Sequence, residues 1–317
     1  MFVTSLLSKW VDFNNRRHNK PLSFYERLIP AAAGQTGIPH HIYQICLRGK
    51  NENADTVYAS LPESFQQNIA FLKHNNPEWT YDLICDREAY QFIRDTYGES
   101  VLNYYLKIDE HYGSARADFL RYLLLYEKGG VYLDLKSTLT VSLSDHLGDH
   151  DRFLLFYWDN IPGGNRHCLI PDYIKEGEIL QGFIVAAPKH PFLRSVILQV
   201  MAAIDQYNPY VDGVGWAGVL NVTGPALYTK TIYNEVCQSD SSYDQIYRRC
   251  KPFQELGYQV NFYHDPTPGS YQNKLQLKDY RALSLPITAN PNKLLTWVNL
   301  RYLKLLAKHR STTDTRE

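Results

Sequence analysis

Four ionisable side chains, Asp118, Arg121, Asp134 and Lys136, lie within a mostly apolar stretch, residues 114–138. Asp118 and Arg121 are three positions apart and share a face if the segment is helical. The run between and beyond them, Phe119-Leu120-Arg121-Tyr122-Leu123-Leu124-Leu125-Tyr126, is apolar almost all round, which predicts a buried helix. An unpaired charge in such a helix is expensive, so the two charges are expected to be paired. Two readings stay open on spacing alone: a structural ion pair that fixes the helix, or charges kept for a ligand. Asp134 is harder to assign to structure. It closes a hydrophobic strand, Val131-Tyr132-Leu133-Asp134-Leu135, that follows Glu127-Lys128-Gly129-Gly130. In open α/β sheets ligands bind beyond the carboxyl ends of strands, where a carboxylate can hold a metal or ligand hydroxyls. Lys136, two residues on, points the same way in an extended chain. An acid and an ammonium there suit a ligand that carries both hydroxyls and phosphates.

The elements that must position these groups follow from the pattern. Ile42 to Cys46 reads as a first strand, and 61–74 as a helix with Leu61, Phe65, Ile69 and Leu72 at helical spacing. Asn75-Asn76-Pro77 ends it, and 79–84 alternates like a short strand. Asp86 caps a helix that Gly98 is expected to end. The buried helix over 112–128 is closed by Gly129-Gly130, with Lys128 at its negative end. Segments 153–157 and 179–187 read as strands, 190–204 and 223–237 as helices, and 212–218 as a glycine-rich loop in which Trp216 could serve as a lid. Asp159 and Asn160 follow a strand end. Residues 239–275 read as irregular, 292–308 as a last helix, and 310–317 as frayed. Strands alternating with helices predict an α/β domain with a mostly parallel sheet. The chain divides into a helical extension at 1–35, one domain at 36–300, and a helix end and tail at 301–317.

Composition narrows the class. The 317 residues carry 33 Lys and Arg against 33 Asp and Glu, a net charge of zero that argues against general nucleic-acid binding. Aromatic residues make up 14%, including 25 Tyr, which argues against a disordered chain. Five Cys with no CxxC pair fit reduced thiols, not a disulfide framework. No run reaches about 18 apolar residues, so no membrane-spanning helix is expected. In the N-terminal segment Phe2, Leu6, Leu7, Trp10 and Phe13 can share one helical face. That face either packs on its own domain or rests on a membrane.

The central string, Ala117-Asp118-x-x-Arg121-Tyr122 followed by Gly129-Gly130-Val131-Tyr132-Leu133-Asp134-x-Lys136, resembles the core signature of glycosyltransferase family 32, the "DXD sugar-binding" transferases. Other blocks agree in order: Ile38-Pro39-His40-His41-Ile42-Tyr43-Gln44-Ile45, Asn76-Pro77-Glu78-Trp79-Thr80-Tyr81, the stretch 182–191, and Thr223-Gly224-Pro225. The likeness covers about residues 36–230 and is most specific in its central block. It implies a GT-A (Rossmann-like) α/β fold and retaining transfer of a hexose from a UDP- or GDP-sugar to a glycan or lipid-linked glycan. The implied setting is cell-surface, capsular or lipopolysaccharide synthesis, in the cytoplasm or at the inner membrane face. Alternatives are a non-catalytic carbohydrate-binding relative or a nucleotide-sugar hydrolase. The resemblance further implies donor-binding roles for Ile42, Tyr43, Gln44, Tyr132, Leu133 and Asp134. Asp118 and Arg121 would meet donor-sugar hydroxyls.

One departure bears on the chemistry. The family's second acidic residue, a Mn²⁺ or Mg²⁺ ligand, is replaced by Lys136. The charge that develops on a leaving diphosphate must still be stabilised. Either Lys136 supplies that cation, or a metal is held by Asp134 with His264 or Asp265; as an unaided reading His264 is a surface-loop histidine.

Overall fold

The computed structural model describes residues 2–17, 19–157, 177–238, 257–260, 262, 273–275, 277, 279–288 and 301. Two helices open the chain, α1 (Phe2–Arg17) and α2 (Leu22–Leu28), followed by β1 (His41–Ile45), α3 (Ala54–Ser60), α4 (Glu63–Asn75), β2 (Thr80–Ile84), α5 (Asp86–Lys107) and α6 (Gly113–Lys128). Then come β3 (Gly130–Leu133), β4 (Thr138–Leu139), β5 (Phe153–Leu154), β6 (Phe183–Ala186), α7 (Pro191–Gln206), α8 (Gly215–Val222), α9 (Pro225–Gln238) and β7 (Tyr258–Gln259). Five strands form one sheet in the order β2-β1-β3-β6-β5. β1 runs parallel to both β2 and β3, while β6 is antiparallel to its neighbours β3 and β5, so only β6 runs against the rest. This is a mostly parallel α/β arrangement, as the alternation of strands and helices predicts. β4 and β7 form a separate antiparallel pair.

Strand residues alternate between two cores, as the period of two requires. Ile42, Val131, Leu133, Phe183 and Val185 face one side with Leu72 and Trp79. Tyr43, Ile45, Tyr132, Ile184 and Ala186 face the other, against α5, α6 and α7. Helix α6 is buried from Phe119 through Tyr126 because the sheet lies on one side of it and α5, α7 and α8 surround the rest. Gly129 and Gly130 both have positive φ, 65° and 100°. A Cβ on Gly130 would lie 2.6 Å from the His41 carbonyl oxygen. The turn therefore needs glycine for conformation and for room, and it delivers β3 directly against β1.

Several expectations are corrected. Asn53 caps α3, a helix the periodicity does not reveal, with its side chain accepting from the Thr56 N–H. Gly98 does not end α5: at φ 76° it kinks the helix, which then continues to Lys107. The glycine-rich stretch 212–218 is not a loop throughout, since Gly215 begins α8. Gly218 is there for close packing, because a Cβ would come within 2.6 Å of the Gly213 oxygen. The last helix at 292–308, the tail, Asp159, Asn160, His264 and Asp265 lie outside the described residues.

A charged network fastens the helical layer. The Asp205 carboxylate on α7 accepts from Lys107 at 2.7 Å, Tyr104 at 2.5 Å and Tyr25 at 3.1 Å, and pairs with Lys20 at 2.9 Å. Burial alone would raise its pKa, but the bonds from Lys107, Tyr104 and Lys20 outweigh burial and hold it below the ordinary 3.8. A lowered folded value means stability present above the unfolded pKa and lost as pH falls below it. Asp205→Asn is therefore expected to destabilise the fold by about 2 kcal/mol at neutral pH, with the difference from wild type closing in strong acid. Thermal unfolding of both proteins across that pH range checks it.

Candidate active site

The carboxyl ends of β1 and β3 open into a cavity of about 280 Å³. Asp118, Arg121, Tyr132, Asp134 and Lys136 all line it, with Ile45 and Leu47 from β1 and the chain just beyond it, and Trp216 and Tyr280 from later in the chain. The two helix charges and the two strand-end charges, separate in sequence, thus converge on one space. That is where ligands bind in a sheet of this kind.

Asp118 and Arg121 form a buried pair one turn apart on α6, with 2.9 Å between Oδ1 and Nη2. Neither is satisfied by the other alone. Thr223, just ahead of α9, donates to Asp118 Oδ2 at 2.9 Å, and Gln181 donates to Oδ1 at 3.3 Å. Arg121 donates through Nη1 to the Gln181 carbonyl at 3.0 Å and through Nε to the Ala117 carbonyl at 3.3 Å. Its guanidinium lies 4.4 Å from the Tyr132 ring centroid, a cation–π contact. Nη1 also comes within 3.5 Å of Asp134 Oδ1, so one guanidinium serves two carboxylates.

Asp134 is held from several sides. Tyr132 donates to Oδ1 at 2.8 Å, the Asp134 N–H donates to the Gly182 carbonyl at 2.8 Å, and Gln44 donates to the Asp134 carbonyl at 3.1 Å. Gly182 leaves room for the carboxylate, since a Cβ there would sit 2.9 Å from Oδ2. Lys136 places its ammonium 3.8 Å from Asp134 Oδ2 and keeps a third of its side chain exposed at the cavity. Tyr258 bonds Ser137 at 3.0 Å, tying β7 under the same turn.

The remaining donor-side candidates occupy different places. Gln44 is buried and acts on Asp134 through its backbone, itself fixed by the Tyr81 hydroxyl at 2.9 Å. Ile42 and Leu133 lie together in the core on one face of the sheet, and Tyr43 in the core on the other. None of Ile42, Tyr43, Gln44 or Leu133 lines the cavity; from β1 and the chain just beyond it, Ile45, Leu47 and Arg48 do. Gln181, Thr223 and Tyr280 were not singled out by sequence. Thr223 and Gly182 fall inside blocks that carry the resemblance, which is the one signal that pointed near them.

A divalent ion is the group this kind of site implies. Its expected donor set does not form among the described residues. Asp134 is the sole carboxylate at the strand end, Arg121 and Lys136 flank it with positive charge, and no cluster of three His, Cys, Asp or Glu suited to a metal occurs among the described residues.

Burial pushes Asp118 up to about 6, with the nearby Asp134 charge adding to it and the Arg121 charge and the Thr223 hydroxyl opposing it. The sign of its effect on folding is opposite to that of Asp205. The folded value lies above the ordinary 3.8, so the cost of the ionised carboxylate is full above about pH 6 and is relieved as pH falls toward 4. Ligand binding that needs ionised Asp118 should instead weaken on the acid side with a midpoint near 6. A pH profile of kcat/KM checks this; a flat profile between pH 5 and 7 would exclude the role, those limits being set about one pH unit either side of the midpoint.

Comparison with known proteins agrees with this geometry. Residues 53–154, which contain Asp118, Arg121, Asp134 and Lys136, match the family model described as a glycosyltransferase sugar-binding region containing a DXD motif. The chain is similar to the initiation-specific alpha-1,6-mannosyltransferase of Candida albicans, 22% identical over 225 residues, covering 63% of this chain and 54% of that protein. It is also similar to the mannosyl phosphorylinositol ceramide synthase of Saccharomyces cerevisiae, 25% identical over 178 residues, covering 55% of this chain and 39% of that protein. The initiation-specific alpha-1,6-mannosyltransferase of Schizosaccharomyces pombe is 25% identical over 175 residues, covering 51% and 42% respectively. The chain thus spans about half or less of the length of these curated relatives. Among solved structures, the PaToxG glycosyltransferase superposes with a TM-score of 0.44 at 14% identity, over 89% of this chain and 98% of that one. The match of residues 53–154 to the sugar-binding region and the likeness to these mannosyltransferases support a glycosyltransferase of the family 32 type.

Proposed function

We propose that the chain is a retaining glycosyltransferase that moves a hexose from a UDP- or GDP-sugar to a glycan hydroxyl. The observation that carries this reading is the convergence of Asp118, Arg121 and Asp134 on one cavity with Lys136 at its side. A hexose presents hydroxyls that need paired acceptors and donors in a desolvated site, and the two carboxylates with their shared guanidinium offer both. A diphosphate needs positive charge beside it as it departs, and the Lys136 ammonium is suited to that place. The three curated relatives above are named for mannosyl transfer or a mannosyl product, so mannose is the first sugar to test.

Retention by a front-face route needs no separate base. The bond from C1 to the phosphate oxygen breaks, the acceptor oxygen bonds to C1 on the same face, and the acceptor proton passes to the departing phosphate oxygen. The protein's part is to orient the sugar through Asp118 and Arg121, to hold Asp134 fixed through Tyr132 and Gln44, and to stabilise the diphosphate through Lys136. The acceptor is a glycan or lipid-linked glycan, and cell-surface polysaccharide synthesis is the setting we favour.

Calorimetry with UDP- and GDP-hexoses tests the donor half of this reading. One nucleotide series should bind with a Kd in the range of about 1 μM to 1 mM ordinary for enzyme substrates. Binding should not require added Mn²⁺. No binding by either series would overturn it.

A further inference from the structure

Helix α1 is docked back to front. An amphipathic helix ordinarily turns its apolar stripe to the body of the protein and its polar side to water. Here the polar side makes the attachment. Asn15 donates to the Gln206 and Tyr207 carbonyls at 2.7 and 3.2 Å. Asn208 donates to Ser8 Oγ at 3.1 Å and to Asp12 Oδ1 at 2.8 Å. Gln206 donates to Asn19 at 3.0 Å. Val11 is buried on that side. Leu6, Trp10 and Phe13, spaced four and three apart on the opposite side, are 53%, 44% and 55% exposed, and Leu22 at the start of α2 is 53% exposed. The hydrogen bonds fix the helix in this orientation, so the apolar face points away from the body.

The charges around that face say what covers it. Lys9 and Arg16 are exposed on the same helix, and residues 9–17 hold Lys9, Arg16 and Arg17 against the single acid Asp12. Asp12 is engaged by Asn208 on the inner side. Leu and aromatic residues edged by Lys and Arg are the composition of a helix that lies in a bilayer interface, its rings among the acyl chains and its cations at anionic headgroups. We propose that α1 seats the protein on an anionic membrane surface. The attachment is peripheral, since no helix among the described residues is long and apolar enough to cross a membrane. This inference is independent of the proposed reaction, and its test involves no sugar donor.

The test is co-sedimentation of the full chain with vesicles of phosphatidylcholine alone and of phosphatidylcholine mixed with phosphatidylglycerol. Wild type should partition to the mixed vesicles and should leave them as salt is raised. Trp10→Glu should lower the partition coefficient about tenfold or more, and Lys9→Glu and Arg16→Glu about fivefold each on the anionic vesicles. All three sites are exposed, so thermal midpoints should match wild type, and a matched midpoint makes the binding comparison valid. Leu6→Gln serves as the second variant should Trp10→Glu unfold. Equal partition of wild type and Trp10→Glu, or no preference for phosphatidylglycerol, would overturn the proposal. So would a concentration-dependent dimer that Trp10→Glu abolishes while wild type ignores vesicles, because a second copy would then be the occupant.

Discussion

Arg121→Lys is expected to lower kcat/KM by about a hundredfold and Arg121→Ala by about a thousandfold or more, in line with the loss of positioned charge in a dry site. The guanidinium reaches Asp118, Asp134 and the Gln181 carbonyl at once, at 2.9, 3.5 and 3.0 Å. A lysine keeps the charge but has no planar fork, so it cannot hold those three acceptors together. Arg121→Ala also leaves two carboxylates beside one cavity with no guanidinium between them, a defect that costs about 3–5 kcal/mol of stability when a buried pair is broken. Arg121→Lys is thus the cleaner probe, and Asp118→Asn, which preserves volume, should cost activity on the same scale. Steady-state kinetics with a thermal melt of each variant separates lost chemistry from lost fold. Activity within threefold of wild type in melt-normal Arg121→Lys would remove Arg121 from the donor site, since even one lost donor in such a site should cost more than about tenfold.

The second large effect concerns Lys136. Lys136→Ala should reduce kcat by about a hundredfold with the fold intact, because the side chain stands one-third exposed at the cavity. Lys136→Arg should recover part of that loss. A strong chelator should leave wild type unchanged. Lys136→Asp, which would give the acidic pair of the family this chain resembles, should exchange that insensitivity for dependence on added Mn²⁺. Chelation that abolishes wild-type activity would overturn the assignment of Lys136 as the cation. It would direct attention to Asp134 together with His264 or Asp265.

How much of this was legible in the sequence differs by kind of residue. Asp118 and Arg121 are legible as a pair because two charges three apart in an apolar helix are costly unless paired, while spacing alone leaves a structural ion pair and a ligand site both open. Asp134 and Lys136 were legible because a strand-end charge after a Gly-Gly turn sits where open sheets bind ligands. The strand-one candidates fared differently. A strand facing two cores reads as uniformly apolar, and its pattern does not say which residues reach past the sheet edge. Gln44 supports Asp134 from beneath, and Ile45 and Leu47 reach the cavity instead. Gln181 and Thr223 escaped because neither is charged and each lies far along the chain from Asp118; only the fold brings them to its carboxylate. The first half of α8, residues 215–218, reads as loop in the sequence because glycine signals both freedom and close approach, and sequence does not distinguish them. The tyrosine surplus also resolves unevenly. Tyr132 touches the cavity and Asp134, Tyr122 lies beneath it as a donor to the Thr223 carbonyl, and Tyr43 is core.

The reaction itself is the most direct test. The purified chain is incubated with UDP- and GDP-hexoses, GDP-mannose first, with and without a panel of methyl glycosides and oligosaccharides as acceptors. Release of nucleoside diphosphate is followed, and the anomeric configuration of the product is read by NMR. The account predicts release that depends on acceptor and a new glycosidic bond with the donor's own anomeric configuration, both slowed about a hundredfold in Arg121→Lys. Release at the same rate without acceptor, or a product of inverted configuration, would contradict it.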